Sequence, residues 1–581
     1  MRQAQEKEFE THDGVRLFYR HWPAAGTKAG KAIVLFHRGH EHSGRLQHIV
    51  DELNLPEFAM FAWDARGHGR SPGERGDSPS FAASVHDVDG FVRHVSREYG
   101  IPLENIAVIA QSVGAVLAST WAHDYAPRVR CLVLASPAFK VKLYVPFARS
   151  GLALQYKLRG NFFVNSYVKA KFLTHDPERI RSYETDPLIT RAISVRILLA
   201  LYEAGERVVA DAQAIRLPTQ LLISGSDWVV HRGPQDEFYE RLGSAVKERY
   251  VLEGFYHDTL GERDRAGAIG KIRDFIGRMF SAPAAEVSLL DADQRGYTRD
   301  EELRLAQPLS ALSPRNLQFA MVRTSMRSLG RLSRGIRLGL ETGFDSGSTL
   351  DYVYRNVAEG VTPIGTMIDR SYLDSIGWRG IRVRKENLGR AIVSAAQRLA
   401  ASGHPVRIAD IAAGHGRYVL EAVEKLERRP ESIFLRDYSD INVRDGTALI
   451  AEKKLQDIGR FVKADAFDEE SVAAIDPRPT IGIVSGLYEL FPGNAQVSAS
   501  LRGMGRAVPP GGFLVYTGQP WHPQLELIAR TLTSHRGGSA WVMRRRTQLE
   551  MDQLVREAGF EKLDQWTDDW GIFTVSLAAK R

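Results

Sequence analysis

NIAVIAQSVGAVLASTWAHDY (105–125) reads as a buried strand, a tight turn and a helix in direct succession. The run NIAVIA is apolar throughout, so it suits a strand covered on both faces. Ala110-Gln111-Ser112-Val113-Gly114 follows, and its small residues suit a sharp strand-to-helix turn. A serine held there is strained, with its hydroxyl exposed above the sheet. Working outward, KAIVLF (31–36), FAMFAWD (58–64), RCLVLAS (130–136), QLLISGS (220–226) and ERYVLEG (248–254) are further short apolar runs separated by amphipathic stretches. That alternation predicts an α/β fold, a mainly parallel sheet with helices on both faces.

The partners a serine nucleophile needs occur in the order nucleophile, acid, base. Asp227 follows QLLISGS and His257 follows ERYVLEG. An imidazole takes the serine proton, while a carboxylate fixes its tautomer and stabilises the cation. Alone, a loop aspartate reads as a cap and a histidine as a surface group. Three such residues at three strand ends point to nucleophilic chemistry at Ser112. The developing oxyanion needs backbone N–H donors. Val113, next after the nucleophile, is one candidate, and the loop His37–Arg45 after KAIVLF should supply the other.

That loop ends Glu41-His42-Ser43-Gly44-Arg45. With Asp64-Ala65-Arg66-Gly67-His68-Gly69-Arg70-Ser71, the elbow at Ser112 and THDPERIRSYETDPL (174–188), residues 8 to 280 resemble the monoacylglycerol lipase and lysophospholipase branch of the α/β-hydrolases. The resemblance implies a helical cap, about 138–215, and Gly39 as the second oxyanion donor. The family's loop begins H-G-x-G; here His37-Arg38-Gly39-His40 carries two bulky residues, so an altered loop geometry is expected. His40, His42 and His68 lie near one another in sequence without a metal-ligand pattern, and no metal is expected. The cap mixes apolar residues with Lys and Arg, which suits a solvated basic face or an acyl pocket with an approach surface for anionic lipid.

A second α/β series begins near residue 387. Val406-Arg407-Ile408-Ala409-Asp410-Ile411-Ala412-Ala413-Gly414-His415-Gly416 is a strand and a small-residue turn, followed by a helix. Such a turn lets a ligand lie against the backbone. Dinucleotide enzymes use a glycine-rich turn too, but their third glycine is missing here. The spacing D-x-A-x-G-x-G resembles the first motif of class I methyltransferases. SIFLRDYS, VKADAF, TIGIVSGLYELFP, PPGGFL and the closing MDQLVREAGFEKLDQW…IFTVSLAAKR continue the resemblance over residues 387–581. It implies a Rossmann-like domain binding S-adenosylmethionine through Asp410, Ala412, Gly414, Gly416, Asp437, Asp465 and Ala466. Tyr488, Glu489, Gln519, Trp521 and His522 would face the methyl acceptor. The block from Gly343 through Gly380 resembles an N-terminal lid.

The expected organisation is a hydrolase domain over 1–280, a linker with a basic helical segment over 281–345, and a methyltransferase domain with its lid over 346–581. Between Glu302 and Glu341 the chain has seven arginines and no acid. Arg323, Arg327, Arg331 and Arg334 form one stripe at helical spacing, and Met321, Leu329, Leu332, Ile336 and Leu340 form another. Such a helix can lie on an anionic membrane or pack on a domain; packing is the expectation. Asp291–Glu302 has the length of a calcium loop, but Arg295 occupies a ligand position. A net charge of +7 is a small excess for 581 residues, and no nucleic-acid module is present. The single cysteine, Cys131, reads as a core thiol, and MRQAQEKEFE has no apolar secretory segment. The composite expectation is a cytoplasmic, bifunctional lipid-metabolism enzyme that touches the inner face of a membrane only peripherally. Its partners are small-molecule or lipid substrates, and its oligomeric state is left open. The alternatives are a methyltransferase with a regulatory hydrolase-fold domain, or one directed at RNA or protein.

Overall fold

The computed structural model describes residues 1–26, 30–166, 168–284 and 286–581. The chain divides into two compact units, Met1–Val287 and Ser288–Arg581.

The strands of the first unit are β1 (Gln5–Glu10), β2 (Arg16–Trp22), β3 (Ala32–Phe36), β4 (Ala59–Trp63), β5 (Ile106–Gln111), β6 (Cys131–Ala135), β7 (Phe163–Asn165), β8 (Ala192–Ser194), β9 (Thr219–Ser224) and β10 (Lys247–Leu252). Eight form one sheet in the order β1-β2-β4-β3-β5-β6-β9-β10, parallel from β4 to β10 and antiparallel at β1 and β2. Side chains alternate across a strand. Ile106, Val108 and Ala110 of β5 therefore join the core under helices Phe81–Tyr99 and Val113–Tyr125, while Ala107 and Ile109 join the core under Gln47–Leu53 and Ala266–Ser281. Both faces are covered, which is why the central strands carry no polar alternation. The edge strand β1 (QEKEFE) is mostly exposed and charged, so apolar patterning does not reveal it.

The cap is not purely helical. Besides helices Ala148–Arg159, Pro177–Thr185 and Val195–Ala210, it contains the small antiparallel pair β7–β8. Three-residue strands are too short to show a period.

The strands of the second unit are β11 (Arg407–Asp410), β12 (Ser432–Asp437), β13 (Gly459–Lys463), β14 (Ile481–Val484), β15 (Phe513–Gly518), β16 (Phe560–Thr567) and β17 (Thr574–Lys580). Their order is β13-β12-β11-β14-β15-β17-β16, with β17 antiparallel to both neighbours. Ile408 and Val515 face a core under the long helix Ile376–Ala401; Ala409 and Leu514 face one under Asn494–Ala507 and Gln548–Glu557.

Residues 288–345, expected as a linker, belong to this unit. Leu305, Ile336 and Phe344 share an apolar core with Trp378, Trp541 and Phe573. The basic stripe is also broken into helix Pro314–Ser328, a short turn at Leu329–Leu332 and helix Arg334–Thr342. Gly330 lies at the break, where a Cβ would meet Ile336 Cγ2 at 2.7 Å. Among the described residues, no helix is long and apolar enough to cross a membrane.

Candidate active sites

Ser112 sits between β5 and helix Val113–Tyr125 with φ +55°. That value is rare for a residue with a Cβ and marks stored strain. Gly114 makes the turn sterically feasible: a Cβ there would lie 2.5 Å from the His37 carbonyl oxygen. Ser112 Oγ lies 2.7 Å from His257 Nε2, and His257 Nδ1 lies 2.7 Å from Asp227 Oδ2. The other Asp227 oxygen accepts the amides of Val229 (2.7 Å) and Val230 (2.9 Å). Burial alone would raise the Asp227 pKa. The His257 charge and hydrogen bond and the two amides outweigh it and hold the carboxyl below its ordinary value.

The two expected oxyanion donors are neighbours, since a Cβ on Gly39 would touch Val113 Cγ2 at 3.0 Å. Arg38 does not obstruct them. It is buried in an ionic cluster, donating to Glu41 Oε1 at 2.8 Å and lying 3.8 Å from Asp258 Oδ1. Arg45 donates to Glu41 (2.6 Å), Arg179 donates to Asp258 (3.0 Å), and Gln111, next to the nucleophile, donates to Asp258 at 3.1 Å. Burial pushes both carboxyls upward; Arg38 foremost at Glu41, and Arg179 foremost at Asp258, outweigh it and keep both below the usual range. His40 has φ +69°, the conformation that turns the loop. His42 and His68 are engaged with Asp186 Oδ2 (2.9 Å) and the Arg66 carbonyl (2.8 Å). Elsewhere, His12, Asp13 and Asp87 converge, but Arg66 donates to both carboxylates, at 2.6 and 2.5 Å.

In the second unit a cavity of about 910 Å³ opens at the C-terminal ends of β11 and β12. Ala412, Gly414, Gly416, Asp437, Asp465 and Ala466 line it. Gly414 and Gly416 have φ +57° and +73°, and a Cβ on Gly416 would strike Leu435 Cδ1 at 2.4 Å. Asp437 accepts the Gly414 amide (2.9 Å), the Ser439 amide (2.9 Å) and Asn442 Nδ2 (3.0 Å). Tyr438 and Ile441, 65% and 46% exposed, also line the cavity. The exposed side chains of Tyr438 and Ile441 and the carboxylates of Asp437 and Asp465 thus line one cavity. Helix Gly347–Arg355 contributes to the rim and is tied to the turn by Asp351, which accepts from Arg417 Nε at 2.5 Å.

Three expected contacts fall elsewhere. Asp410 is fully buried beneath the turn, accepting the Ala412 amide and the Tyr418 hydroxyl, and does not line the cavity. Burial raises its pKa to about 7. Tyr488 points into the core and donates to Ser500 Oγ at 3.0 Å. Trp521 lies against Arg545 and lines neither cavity described here. Glu489, Gln519 and His522 do converge, around a second cavity of about 210 Å³. Arg384, not singled out by the sequence, lines both cavities. Its signal was an arginine interrupting the apolar stripe Ile381, Leu388, Ala391 of its helix.

A family model described as "Putative methyltransferase" matches residues 272–580, just over half of the chain. The chain belongs to that methyltransferase family. A model described as "Serine aminopeptidase, S33" matches residues 27–264 of the hydrolase unit. Uncharacterized protein YnbC of Escherichia coli (strain K12) is 57% identical over 99% of this chain and 98% of its own length. Over the hydrolase unit alone, a monoacylglycerol lipase of Mycolicibacterium smegmatis is 24% identical, covering 47% of this chain and 96% of its own. The human monoglyceride lipase is 28% identical, covering 42% and 80%. The chain thus joins a serine hydrolase domain of the monoglyceride lipase type to a methyltransferase-family domain.

Proposed function

We propose that this protein is a bifunctional enzyme of lipid metabolism. One unit cleaves a carboxylic ester of the monoacylglycerol or lysophospholipid kind, and the other is an S-adenosylmethionine-dependent methyltransferase. The hydrolase reading rests on the relay Ser112–His257–Asp227, with both links at 2.7 Å on a strained elbow. Ser112 Oγ attacks the ester carbonyl as His257 Nε2 takes its proton. The carbonyl oxygen, now negative, turns toward the Val113 and Gly39 amides. His257 returns the proton to the departing alcohol, and water repeats the sequence to free the acid. The lipid class is supported by the relatives' own activities and by the cap helix Ala148–Arg159, which leaves Leu154 and Leu158 exposed beside Lys157 and Arg159.

The methyltransferase reading rests on the wide cavity at Gly414–Gly416 with Asp437 and Asp465 on its rim. When bound, the cofactor supplies an activated methyl group. The chain's own part is to hold the nucleoside on Asp437, Tyr438 and Ala466 and to keep water out.

In the full chain, Ser112→Ala should lower p-nitrophenyl ester cleavage by at least about a thousandfold while calorimetric S-adenosylmethionine binding is unchanged. Asp437→Ala should do the reverse, weakening the cofactor about tenfold or more. Cleavage retained by the serine variant removes Ser112 as nucleophile; cofactor affinity unmoved by Asp437→Ala removes that carboxylate from the site.

A further inference from the structure

The second cavity of the methyltransferase unit adjoins the first: Asp345, Leu350, Arg384, Gly486 and Leu490 line both. Its walls are largely apolar and aromatic, with Tyr372, Trp378, Trp541 and Phe573 among them. Trp378 and Trp541 face each other with ring centroids 6.4 Å apart. At about 210 Å³ it holds one substituted ring, given that an apolar cavity of ~150 Å³ accepts benzene.

The polar atoms are few and specific. Glu489 Oε2, Arg384 Nε, Gln519 Nε2, the Tyr372 hydroxyl and Trp541 Nε1 are buried and have no hydrogen-bond partner among the described residues. Glu489, Arg384 and Gln519 are 7%, 3% and 5% exposed. Unpaired buried polar atoms are rare because each forfeits its hydration. Glu489 is itself fixed: its Oε1 accepts from Thr517 Oγ1 at 3.1 Å and lies 3.9 Å from Arg384 Nη1. The other lining carboxylate, Asp345, is taken up by Ser534 Oγ and the His535 amide, both at 2.6 Å. His522 Nδ1 accepts the Gln524 amide at 3.0 Å, so the neutral ring carries its hydrogen on Nε2 and is a donor.

Resting on the reading of this unit as a methyltransferase, we propose that this cavity binds the methyl acceptor and that the acceptor is a small aromatic hydroxyl compound. Glu489 receives its O–H. A hydroxyl donates once and accepts, matching the charged acceptor Glu489 Oε2 and the orphan donors Arg384 Nε, Gln519 Nε2 and Trp541 Nε1. A carboxylate would set a second negative charge against Glu489 and, having no donor, leave Oε2 unpaired. An ammonium group would leave Arg384 and Gln519 unpaired. Phenolic rather than aliphatic hydroxyls suit the site, because a phenol, with a pKa near ~10, is acidic enough for a carboxylate to assist its proton loss.

Calorimetric titration of the full chain without cofactor tests this. At neutral pH, para-ethylphenol should bind once per chain and at least tenfold more tightly than para-ethylanisole or para-ethylbenzoate. Glu489→Gln should shrink the phenol-to-anisole ratio by about tenfold and leave anisole unchanged. Equal affinity for phenol and anisole, tighter binding of benzoate, or no binding of the phenol overturns the proposal, and the native-chain series decides even if the variant misfolds. S-adenosylmethionine is titrated separately: its failure to bind would sink the methyltransferase reading and leave the ligand preferences of the cavity measured in their own right.

Discussion

At Arg38 a long cation stands in a loop where the resembling lipases carry a glycine. The structure resolves that departure through charge. Three guanidiniums (Arg38, Arg45, Arg179) surround the buried carboxylates Glu41 and Asp258, and a third carboxylate, Asp186, lies 3.8 Å from Arg45 at the edge of the cluster. Removing Arg38 leaves Arg45 on Glu41 and Arg179 on Asp258. Removing Glu41 takes away the one carboxylate that all three cations approach, leaving Arg38 with Asp258 at 3.8 Å and Arg45 with Asp186 at 3.8 Å. Breaking a buried pair so that a charge is stranded costs about 3–5 kcal/mol. Glu41→Gln should therefore lower the urea midpoint of ester-cleaving activity clearly more than Arg38→Gln, which should cost about 1–2 kcal/mol. If Arg38→Gln is the worse of the two, the charge balance drawn here is mistaken. The cluster was invisible in the sequence because its members lie at 38, 41, 45, 179 and 258 and meet only in the fold. Ser112, Asp227 and His257 were readable because each follows a strand whose apolar run announces it. Asp410 was misplaced for the opposite reason: a motif gives the order of residues, not which of them lies beneath the turn.

Among the α-helices of the described residues, Ala148–Arg159 is the one with no buried residue. Phe147, Leu154 and Leu158 are 88%, 59% and 74% exposed. Positions 154 and 158 share one face of the helix, and Phe147 directly precedes its first residue. The preceding segment is tied to the acid's loop, since Val141 bridges Val230 and the Tyr144 hydroxyl donates to the Trp228 carbonyl at 2.6 Å. An apolar helix face with lysine and arginine beside it suits the boundary of a lipid aggregate. Replacing Leu154 and Leu158 together by serine should lower cleavage of a vesicle-borne monoacylglycerol by about tenfold or more, since burying a leucine is worth ~1.5–3 kcal/mol. Cleavage of a water-soluble acetate ester should be unaffected. Equal losses on the two substrates would mean that the leucines support the cap and not the interface. The basic composition of the cap was readable; its β7–β8 pair was not, because six residues in two strands give no periodicity.

For the chain as a whole, the alternation of apolar runs with amphipathic stretches gives two α/β series, but it places the start of the second unit at 346 and not at Ser288. The stretch 281–345 reads as a linker because it opens with SAPAAE and contains several prolines and glycines. In the structure the expected stripe does not pack as one face: Met321 and Leu329 are exposed, and single residues of the stretch enter a shared core. Leu305, Ile336 and Phe344 are 5%, 7% and 0% exposed. The loop that resembled a calcium site is also built in: Asp293 accepts the Asn494 amide at 2.8 Å, and Asn494 donates to the Leu290 carbonyl at 3.1 Å. Glu301 receives Arg545 at 2.5 Å. Each unit therefore keeps its complete set of apolar clusters when the division falls between Phe280 and Leu305, as it does at Val287–Ser288, and not when it falls at 345. Residues 288–581 should fold alone and unfold cooperatively, as should residues 1–287. A piece beginning at residue 346 should not: losing a large core side chain costs about 2–5 kcal/mol, and three such losses equal the whole stability of a typical domain, ~5–15 kcal/mol. Circular dichroism melts of the three pieces distinguish the boundaries. A cooperative transition for 346–581 at the temperature of 288–581 would return the intervening segment to the status of a linker.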